Sequence, residues 1–479
     1  MLAVTNMDEL NPIAAEHYGS KTVAIEPGGI ERIPDSERHG TPLQMLWTWI
    51  SPNLEFATIG VGILGPLAFG LTFWQAVAAI VLGNAVGSTS HGILASWGPR
   101  SGLCQMVLSR TGFGFLGNAL PAGLNSVIAG IGWFAVNSIS GALALNALVD
   151  ALPKWLCLLI VVAAQLTVAG YGHNLVQVFE RYALPLLAVV FGLGVVIVLS
   201  KADPGMARMV PPFPLPVSGG FLITTGAAFG YAVGWNPFSA DYTRYLPADV
   251  DARKVGMFAG LGVFVSCVVL EISGAAMVTA ASNPALDPGV YTGLLPDLLG
   301  KLTLLCIAIG AVCANALNIY SGAMSFLALG IKLPLRRARA VVAVVFGVFG
   351  FLLALSGLND PLSKYENFLL IIAYWVGPWL GVVLIDRMLR KGTSQEEIIA
   401  IATDKRYTNW AGPIAMAAGM VISIWLFSNQ VKYIGPVPKS HPGIGDITFL
   451  IGFVISAGVY AALFRTLSGT KAHAGAPAA

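Results

Sequence analysis

Two apolar stretches decide the fold: residues 45–69, MLWTWISPNLEFATIGVGILGPLAF, and residues 219–243, GGFLITTGAAFGYAVGWNPFSADYT. Each is long enough for a membrane helix, because the hydrocarbon core of a bilayer is spanned by about 20 residues. Each is also interrupted, the first by Ser51–Asn53 (Ser-Pro-Asn) and the second by 235–237 (Trp-Asn-Pro). Proline removes a backbone donor and clashes with the preceding turn, so the two stretches predict broken membrane helices.

The composition agrees with a membrane protein. The chain has 479 residues, of which 56% are hydrophobic and 11% are charged, whereas soluble domains carry about 25% charged residues. The net charge of +3 is too small to form a basic patch for nucleic acid. These values exclude a soluble enzyme and a nucleic-acid-binding protein, and they indicate a lipid bilayer as the surroundings.

Apolar runs between charged or Pro/Gly-rich breaks predict an all-α integral membrane protein with twelve transmembrane helices. When the N-terminus is placed inside, twenty of the 27 Lys and Arg residues fall on the inner side. The positive-inside rule therefore predicts that both termini are cytoplasmic, and we expect the protein in the plasma membrane. The predicted spans are 45–69, 72–94, 118–149, 155–171, 177–200, 219–243, 256–280, 300–328, 340–358, 367–386, 411–429 and 447–465.

The two interrupted spans are the first of two blocks of five spans. Span one would run outward and span six inward, so the blocks 45–200 and 219–386 are predicted to be inverted copies. Such paired interruptions indicate a transporter with its site near the midplane of the membrane. The rest of the chain is predicted to be a cytoplasmic tail at 1–44, two further spans within 411–465 and a cytoplasmic tail at 466–479.

Few polar side chains lie deep in the predicted spans, and burying them is costly unless they are paired or used. Aromatic rings can stack on a planar solute, and carboxamides offer a donor and an acceptor to an amide-like ring edge. No Arg or Lys lies deep in spans one, three, six or eight, so a neutral planar heterocycle is the expected substrate. The candidate binding residues are Asn53 and Thr58 (span one), Trp133 and Asn137 (span three), Phe229, Tyr231 and Trp235 (span six), and Asn315 and Asn318 (span eight).

Two carboxylates also lie deep, Glu55 beside the break of span one and Glu271 in span seven. An intramembrane carboxylate is a functional candidate by default. Each could carry a proton or accept a hydrogen bond from the substrate, and a structural hydrogen bond is the other interpretation of Glu271. The charged pairs at span ends are expected to be structural or gating elements, namely Glu180 with Arg181 and Asp241 with Arg244.

The sequence suggests no enzyme chemistry. Its six His and five Cys residues have no metal-ligand spacing, and it contains neither a Walker A loop nor a GxSxG elbow. No cofactor and no metal site are expected. A membrane channel is the other class considered, but the repeated polar rings or re-entrant filter that a channel uses are absent.

The residues around the second interruption resemble a family signature. The string 234–245, GWNPFSADYTRY, resembles the G-W-x-x-[FY]-x-A-D-Y-T-x-Y signature of purine–cytosine permeases, which belong to the nucleobase–cation–symporter-1 family. The preamble at 29–34, GIERIP, together with Arg38, is similar to the lead-in of the same family. The resemblance extends from about residue 28 to residue 465.

This resemblance implies the five-plus-five inverted-repeat fold of the sodium-coupled amino-acid transporters, with two additional C-terminal helices. It also implies cation-driven uptake of nucleobases or related heterocycles by alternating access. Trp133, Asn137 and Asn318 resemble the substrate-binding positions of the family. The Trp133 ring would stack on the substrate, the two carboxamides would bind its edges, and one of the span-six aromatic residues would cover its other face.

One departure from the family pattern bears on the coupling ion. Sodium-coupled relatives place two hydroxyl side chains on span eight, but residues 310–315 read GAVCAN without Ser or Thr. Sodium prefers hard oxygen ligands and a thiol is a poor substitute, so proton coupling through Glu55 is favoured. Sodium coupling stays open, and so does a cargo of pyridoxine, thiamine, allantoin or hydantoin in place of cytosine or purines.

Overall fold

The structure, a computed structural model, describes residues 29–170, 173–331, 335–358 and 361–468, and most of these are helical. The helices of the first half are α1 (Gln44–Ile50), α2 (Phe56–Phe69), α3 (Phe73–Ala95), α4 (Gly98–Ser101), α5 (Gln105–Leu108), α6 (Arg110–Phe113), α7 (Ala119–Val127), α8 (Phe134–Leu148), α9 (Lys154–Gly170) and α10 (His173–Lys201). Those of the second half are α11 (Val217–Val233), α12 (Ser239–Thr243), α13 (Ala252–Ala280), α14 (Pro288–Thr292), α15 (Asp297–Ala328), α16 (Leu335–Gly357), α17 (Pro361–Leu389), α18 (Gln395–Thr403), α19 (Ala411–Phe427), α20 (Pro436–Ser440) and α21 (Thr448–Leu467). A short antiparallel hairpin of β1 (Asn429–Gln430) and β2 (Tyr433–Ile434) follows α19.

The described helices agree with a protein that crosses the membrane many times. Eight of them are long and apolar enough to span a bilayer, and the number is nine when the bent pair α1–α2 is taken as one span. Three shorter apolar helices, Lys154–Val168, Ala343–Gly357 and Ala411–Phe427, coincide with predicted spans four, nine and eleven. The all-helical membrane fold is thus confirmed, while the exact number of twelve spans and the inverted repeat stay predictions.

The break in span one lies where the sequence predicts it. Helix α1 ends at Ile50, a 3-10 turn covers Ser51–Asn53, and Glu55 has extended backbone angles (φ −155°, ψ 174°) before α2 begins. The two helices are bent by 63° relative to each other. Because Pro52 cannot donate a backbone hydrogen bond, the α-helical pattern stops here.

The interruption of span six is milder than that of span one. A 3-10 turn at Asn236–Phe238 links α11 to α12, but 217–243 still passes as one continuous span. Pro237 sits in the first turn of the 3-10 segment, where a missing N–H costs little. The chain therefore tightens here without the sharp change of direction seen in span one.

The helices that surround the candidate residues form two packed groups. In the first, which we call the bundle, α3 packs against α11 and α13, and α1 and α2 pack against α13. In the second, which we call the scaffold, α15 packs against α8 and α9, and α16 packs against α8 and α9. Helices α17, α19 and α21 form a further layer, which contacts the bundle through α11 and α17.

Glycine residues allow close contact at two places, between α2 and α13 and between α15 and the break before α2. A Cβ atom at Gly62 of α2 would lie 1.6 Å from the carbonyl oxygen of Glu271 in α13, so only glycine fits. A Cβ atom at Gly310 of α15 would likewise lie 2.8 Å from Cβ of Glu55. Close backbone contact through small residues is typical of membrane helices, and here it positions both deep carboxylates.

Candidate functional site

Three carboxamides form a cluster between the scaffold helices α8 and α15. The Nδ2 group of Asn137 donates to Oδ1 of Asn315 over 3.0 Å, and that of Asn318 donates to the same oxygen over 3.2 Å. The Nδ2 group of Asn315 donates to the Phe134 carbonyl over 2.9 Å. Asn315 thus holds its two neighbours in place. The buried Oδ1 atom of Asn318 has no hydrogen-bond partner among the described residues.

A residue that sequence reasoning missed supports this cluster from behind. The hydroxyl of Ser138, which accepts from Asn315 over 3.3 Å, donates to Oε1 of Gln165 over 2.9 Å. The Nε2 group of Gln165 donates to the Ala311 carbonyl over 3.2 Å. The signal was available, since Gln165 is a polar residue inside an apolar span. Its bonds to α8 and α15 make it a positioning residue for the carboxamides.

The Trp133 ring lies next to the cluster, at the end of a π-helical segment, Ile128–Trp133, that interrupts span three. Such π-helical turns are frequent at functional sites. The ring meets Tyr231 and Phe368 edge to face, with centroid distances of 5.3 and 4.9 Å. The faces of Trp133 are therefore not stacked on another ring in these two contacts. Phe368 was missed because nothing in the sequence relates span ten to span three.

The candidate residues beside the first break hold spans one and six together. The indole N–H of Trp235 donates to Oδ1 of Asn53 over 2.9 Å, and Nδ2 of Asn53 donates to the Trp49 carbonyl over 2.7 Å. The Thr58 hydroxyl lies 2.5 Å from the Asn53 carbonyl and 2.6 Å from the Tyr231 hydroxyl. These polar groups are already paired with each other, which fixes the geometry of the break.

Phe229 lies away from Trp133 and the break in span one. Its ring stacks on Phe449 of α21 with centroids 4.7 Å apart, whereas Tyr231 contacts Trp133. Residues two apart on a helix differ by about 200° in direction, so the two rings of α11 serve different neighbours. Of the two span-six aromatics on α11, the structure brings only Tyr231 to Trp133 and the break.

Glu55 is fully buried at the N-terminus of α2. Neither of its carboxylate oxygens has a hydrogen-bond partner of standard geometry among the described residues. The nearest donors are the backbone N–H groups of the first turn of α2, at Phe56, Ala57 and Thr58. An N-terminal helix turn favours negative charge, so these N–H groups offset part of the cost of burying an ionised carboxylate here.

Glu271 is also fully buried and has one strong partner. The Nδ2 group of Asn84 on α3 donates to Oε2 of Glu271 over 2.7 Å, and Oε1 has no partner among the described residues. The Tyr365 ring lies within electrostatic range of both Glu271 and Glu55, and its hydroxyl donates to the Ala57 carbonyl over 2.7 Å. The two carboxyl groups therefore belong to one buried polar region of the bundle. Asn84 and Tyr365 were missed in the sequence.

A cavity of about 660 Å³ leads toward this region from the face that carries the β1–β2 hairpin, which we call the vestibule face. Its walls are mostly apolar and come from α8, α16 and α17. Phe56, Ala57 and Tyr365 line the cavity, as do Lys364 and, in the hairpin, Lys432. The cavity therefore reaches the residues that directly follow Glu55 in the chain.

The opposite face, which carries residues 29–43 and is called the N-terminal face, is shut by a bonded network. The fully buried guanidinium of Arg244 donates to the Gly29 carbonyl over 2.9 Å and to the Tyr320 hydroxyl over 3.0 Å. Oδ1 of Asp241 accepts from the backbone N–H of Gln105 over 2.8 Å. Asp241 and Arg244 therefore cross-link separate elements, and their structural or gating role stays a prediction.

The N-terminal segment is itself anchored on this face. The Arg38 guanidinium donates to the carbonyls of Ile33 and Pro99 over 3.0 and 2.7 Å, and burial lowers the pKa of Arg38. Residues 1–28 and 469–479 of the predicted tails lie outside the described residues. The same holds for the side chains of Glu180 and Arg181, so their predicted pairing has no structural description.

Within the described part of the chain, no group of three or more His, Cys, Asp or Glu side chains could hold a metal ion. What the structure does contain is a multi-pass helical protein with a broken span, a buried polar centre, one open vestibule and one sealed face. This arrangement is typical of a membrane transporter.

Comparison with known proteins gives the family. The profile described as "Permease for cytosine/purines, uracil, thiamine, allantoin" matches residues 32–452. The chain therefore belongs to this family, the nucleobase–cation–symporter-1 permeases, as its sequence motifs indicate.

Individual relatives agree with this assignment. The purine-cytosine permease fcyB of Emericella nidulans is 29% identical over 93% of this chain and 91% of its own. The vitamin B6 transporter TPN1 of Saccharomyces cerevisiae is 27% identical over 77% of this chain and 66% of its own. Among solved structures, Mhp1, a nucleobase-cation-symport-1 family transporter with bromovinylhydantoin bound, superposes with a TM-score of 0.72. That match covers 93% of this chain and 96% of Mhp1 at 18% identity, and it supports the fold.

Proposed function

We propose that the protein imports a planar heterocycle, in the first instance cytosine or a purine nucleobase, together with a proton. The observation that carries the proposal is the unpartnered Oδ1 atom of Asn318 in a carboxamide cluster beside Trp133. A buried acceptor without a donor is costly, and an N–H group on the edge of a heterocycle would satisfy it. The name of the relative fcyB, a purine-cytosine permease, supports the same class of cargo.

Each binding residue has a role in this proposal. Trp133 stacks on the ring of the substrate, while Asn137 and Asn318 bind its edge under the control of Asn315. Tyr231 closes the site from span six, since its ring already contacts Trp133. Flat rings and carboxamides together select a planar, neutral, amide-like solute. The remaining residues at the break hold the geometry: Asn53, Thr58 and Trp235.

Glu55 is the proposed coupling group. It packs against Gly310 at the start of the stretch 310–315, where Ser and Thr are absent, so a protonated or ionised carboxyl group takes the place of a sodium site. Protonation from the vestibule would neutralise the buried charge and favour closure around the substrate. Transfer of this proton past Tyr365, which interacts with both carboxyl groups, to Glu271 and on to the N-terminal face would reset the site.

The direction of transport follows from the predicted orientation. The N-terminal face is the cytoplasmic one and the vestibule face is outside, with the protein in the plasma membrane and the two blocks 45–200 and 219–386 moving as inverted repeats. In alternating access the open vestibule closes as the network of Arg244 and the N-terminal segment separates. The sealed N-terminal face and the open vestibule support an outward-facing state.

A second cargo class has specific support. The relative TPN1 is a vitamin B6 transporter, and Mhp1 binds bromovinylhydantoin, so pyridoxine and hydantoins are the first alternatives to nucleobases. Thiamine and allantoin share the same edge chemistry. These solutes differ mainly in size and ring substituents, which the residue types at the site do not distinguish.

The test is a thermal-shift screen of the purified protein against cytosine, hypoxanthine, uracil, pyridoxine, thiamine, allantoin and hydantoin. A solute that binds only the folded protein raises its apparent stability with the logarithm of its concentration over the dissociation constant. We expect a nucleobase to give the largest shift and Asn318→Ala to remove it. Stabilisation by none of these solutes would contradict the proposal.

A further inference from the structure

A row of buried polar residues runs down α3 from the deep carboxyl region toward the N-terminal face. Asn84, Ser88 and His91 are spaced four and three residues apart, so they share one face of the helix. All three are buried, with relative exposures of 0%, 3% and 0%. At 1.5 Å per residue the row covers roughly 10 Å of the membrane. We call these three residues the α3 row.

The upper end of the row is bonded to Glu271 and its lower end to α12. Asn84 donates to Glu271 over 2.7 Å, and Nδ1 of His91 lies 2.9 Å from the hydroxyl of Ser239. Directly below, the Thr243 hydroxyl donates to the Ala95 carbonyl over 2.8 Å, where α3 ends at the N-terminal face. The row therefore connects a carboxyl group at mid-membrane with the end of its helix.

The row is rich in polar atoms that lack partners. Four buried atoms have no hydrogen-bond partner among the described residues: Oδ1 of Asn84, Oγ of Ser88, Nε2 of His91 and Oε1 of Glu271. Buried polar groups are rarely left unsatisfied unless water or a function accounts for them. Ser88 also borders a groove of about 590 Å³ between α3 and α13. Its hydroxyl oxygen is itself buried, so water reaches it when α3 and α13 separate slightly.

Most charged and titratable groups around the row lie at its upper end, and Arg253 of α13 lines the groove that Ser88 borders. Glu271 has Cys267 one turn earlier on α13 and Tyr365 of α17 beside it, and Tyr365 in turn interacts with Glu55 of α2. The described polar and ring contacts of His91 are with the Trp49 ring of α1, 4.2 Å away, the Ser239 hydroxyl of α12 and the backbone of Trp235. A proton at His91 would thus have no fixed counter-charge in these contacts, as suits a transit point.

We propose that the α3 row carries the coupling proton from Glu271 to the N-terminal face inside the bundle, separately from the substrate. Glu271 gives its proton to water at Ser88, His91 accepts a proton at Nε2, and the ring releases one from Nδ1 toward Ser239 and water beyond it. No covalent bond other than O–H and N–H is made or broken, and one proton leaves for each one received. This inference rests on the proposed proton coupling and adds a route to it.

The route is tested in proteoliposomes that contain a pH-sensitive dye, with hypoxanthine added outside. Ser88→Ala and His91→Asn remove the hydroxyl and the titratable ring nitrogen, and the carboxamide of Asn retains a partner for Ser239. We expect hypoxanthine-dependent proton uptake to fall at least about tenfold in both variants. Exchange of labelled for unlabelled hypoxanthine, which needs no net proton flux, should stay within twofold of wild type and so reports intact folding and binding.

The matched control is Thr89→Ala, which changes the neighbouring, exposed hydroxyl of the same helix and should leave both readings unchanged. His91→Gln is a second variant in case His91→Asn fails to exchange hypoxanthine. Proton uptake at the wild-type rate in Ser88→Ala and in an exchanging His91 variant overturns the route. A wild-type protein that takes up hypoxanthine without protons overturns the proposed coupling itself, which is a different result.

Discussion

The two polar regions of the membrane interior are built in opposite ways. The carboxamide cluster of the scaffold is cross-bonded, since Asn315 accepts from both Asn137 and Asn318 and donates to the Phe134 carbonyl. The carboxyl region of the bundle is sparsely bonded, and Glu55 has no partner of standard geometry among the described residues. The carboxamide cluster is thus held in a fixed shape, whereas the carboxyl region contains buried oxygen atoms that can still accept hydrogen bonds.

This difference matches the two tasks of a symporter. Recognition of a heterocycle needs donors and acceptors at fixed positions, because a site that moves loses the selectivity of its hydrogen bonds. A proton carrier needs a group that is tolerated both with and without charge, and a fully bonded carboxylate would hold one state too strongly. We therefore propose that the scaffold recognises the substrate and that the bundle couples the proton, and the following predictions test that division.

The largest effect is expected from Asn318→Ala. The variant removes the unpartnered acceptor of the scaffold, and a polar substrate edge left unpaired is rejected strongly, so binding should weaken at least about 100-fold, or roughly 2.7 kcal/mol. Isothermal titration with the best ligand of the screen measures this. The control is Asn146→Ala, which removes a carboxamide of α8 that donates to the Leu152 carbonyl beyond the end of that helix. Binding within twofold of wild type in Asn318→Ala would remove the scaffold site.

Glu55→Gln should separate coupling from recognition. Gln keeps the shape but cannot exchange a proton, so accumulation driven by a pH gradient should fall at least about tenfold while exchange continues, as expected for a lost proton carrier. Uptake and exchange in proteoliposomes measure the two processes. Glu366→Gln, at another buried carboxyl, should retain accumulation. If Glu55→Gln still concentrates its substrate, the bundle assignment is wrong.

Trp133→Ala should have a smaller effect on binding. Stacking of a base on an aromatic side chain contributes about 1–3 kcal/mol, so we expect a loss of affinity of about tenfold. Trp133→Phe keeps an aromatic face and should lose less than half of that free energy. Equal affinities of the Ala and Phe variants would show that the ring supplies no stacking.

The smallest effect concerns the sealed face. Arg244→Gln breaks the bonds to Gly29 and Tyr320 and should raise the rate of alkylation of the nearby buried Cys104 several-fold, as opening the face exposes this thiol. The measurement is mass spectrometry after treatment with a maleimide. Arg253→Gln, on the exposed first turn of α13, should leave the rate unchanged. An unchanged rate in Arg244→Gln would show that this network does not hold the face shut.

Much of the fold could be predicted because membrane helices are determined by residues that are close together in the sequence. The apolar lengths, the break at Ser51–Asn53 and the depth of Glu55 all follow from residues close together in the chain. The geometry of span six did not follow, because Pro237 at the start of a 3-10 turn continues a helix as readily as it ends one. The family signature also identified the class, since its motif is specific.

The site was predicted less completely, because its contacts join distant parts of the chain. The spacing on α15 brought Asn315 and Asn318 together, but their support by Gln165 depends on how α9 packs. The contact of Asn84 with Glu271 spans 187 residues of sequence and has no local signal. The sequence left Trp235, Phe229 and Tyr231 open as partners of the ring, and only the packing of α11 and of the turn after it distinguishes them.

Uptake is proposed to be driven by a proton that binds a buried carboxyl group, and one measurement tests this coupling directly. Wild-type proteoliposomes receive hypoxanthine, or the best ligand of the screen, under a gradient of one pH unit without sodium, or under a sodium gradient at equal pH. With one proton per substrate, one pH unit supports up to about tenfold accumulation, because a tenfold ratio corresponds to about 1.4 kcal/mol. We predict accumulation with the pH gradient alone. Accumulation that requires sodium and ignores the pH gradient would contradict this account.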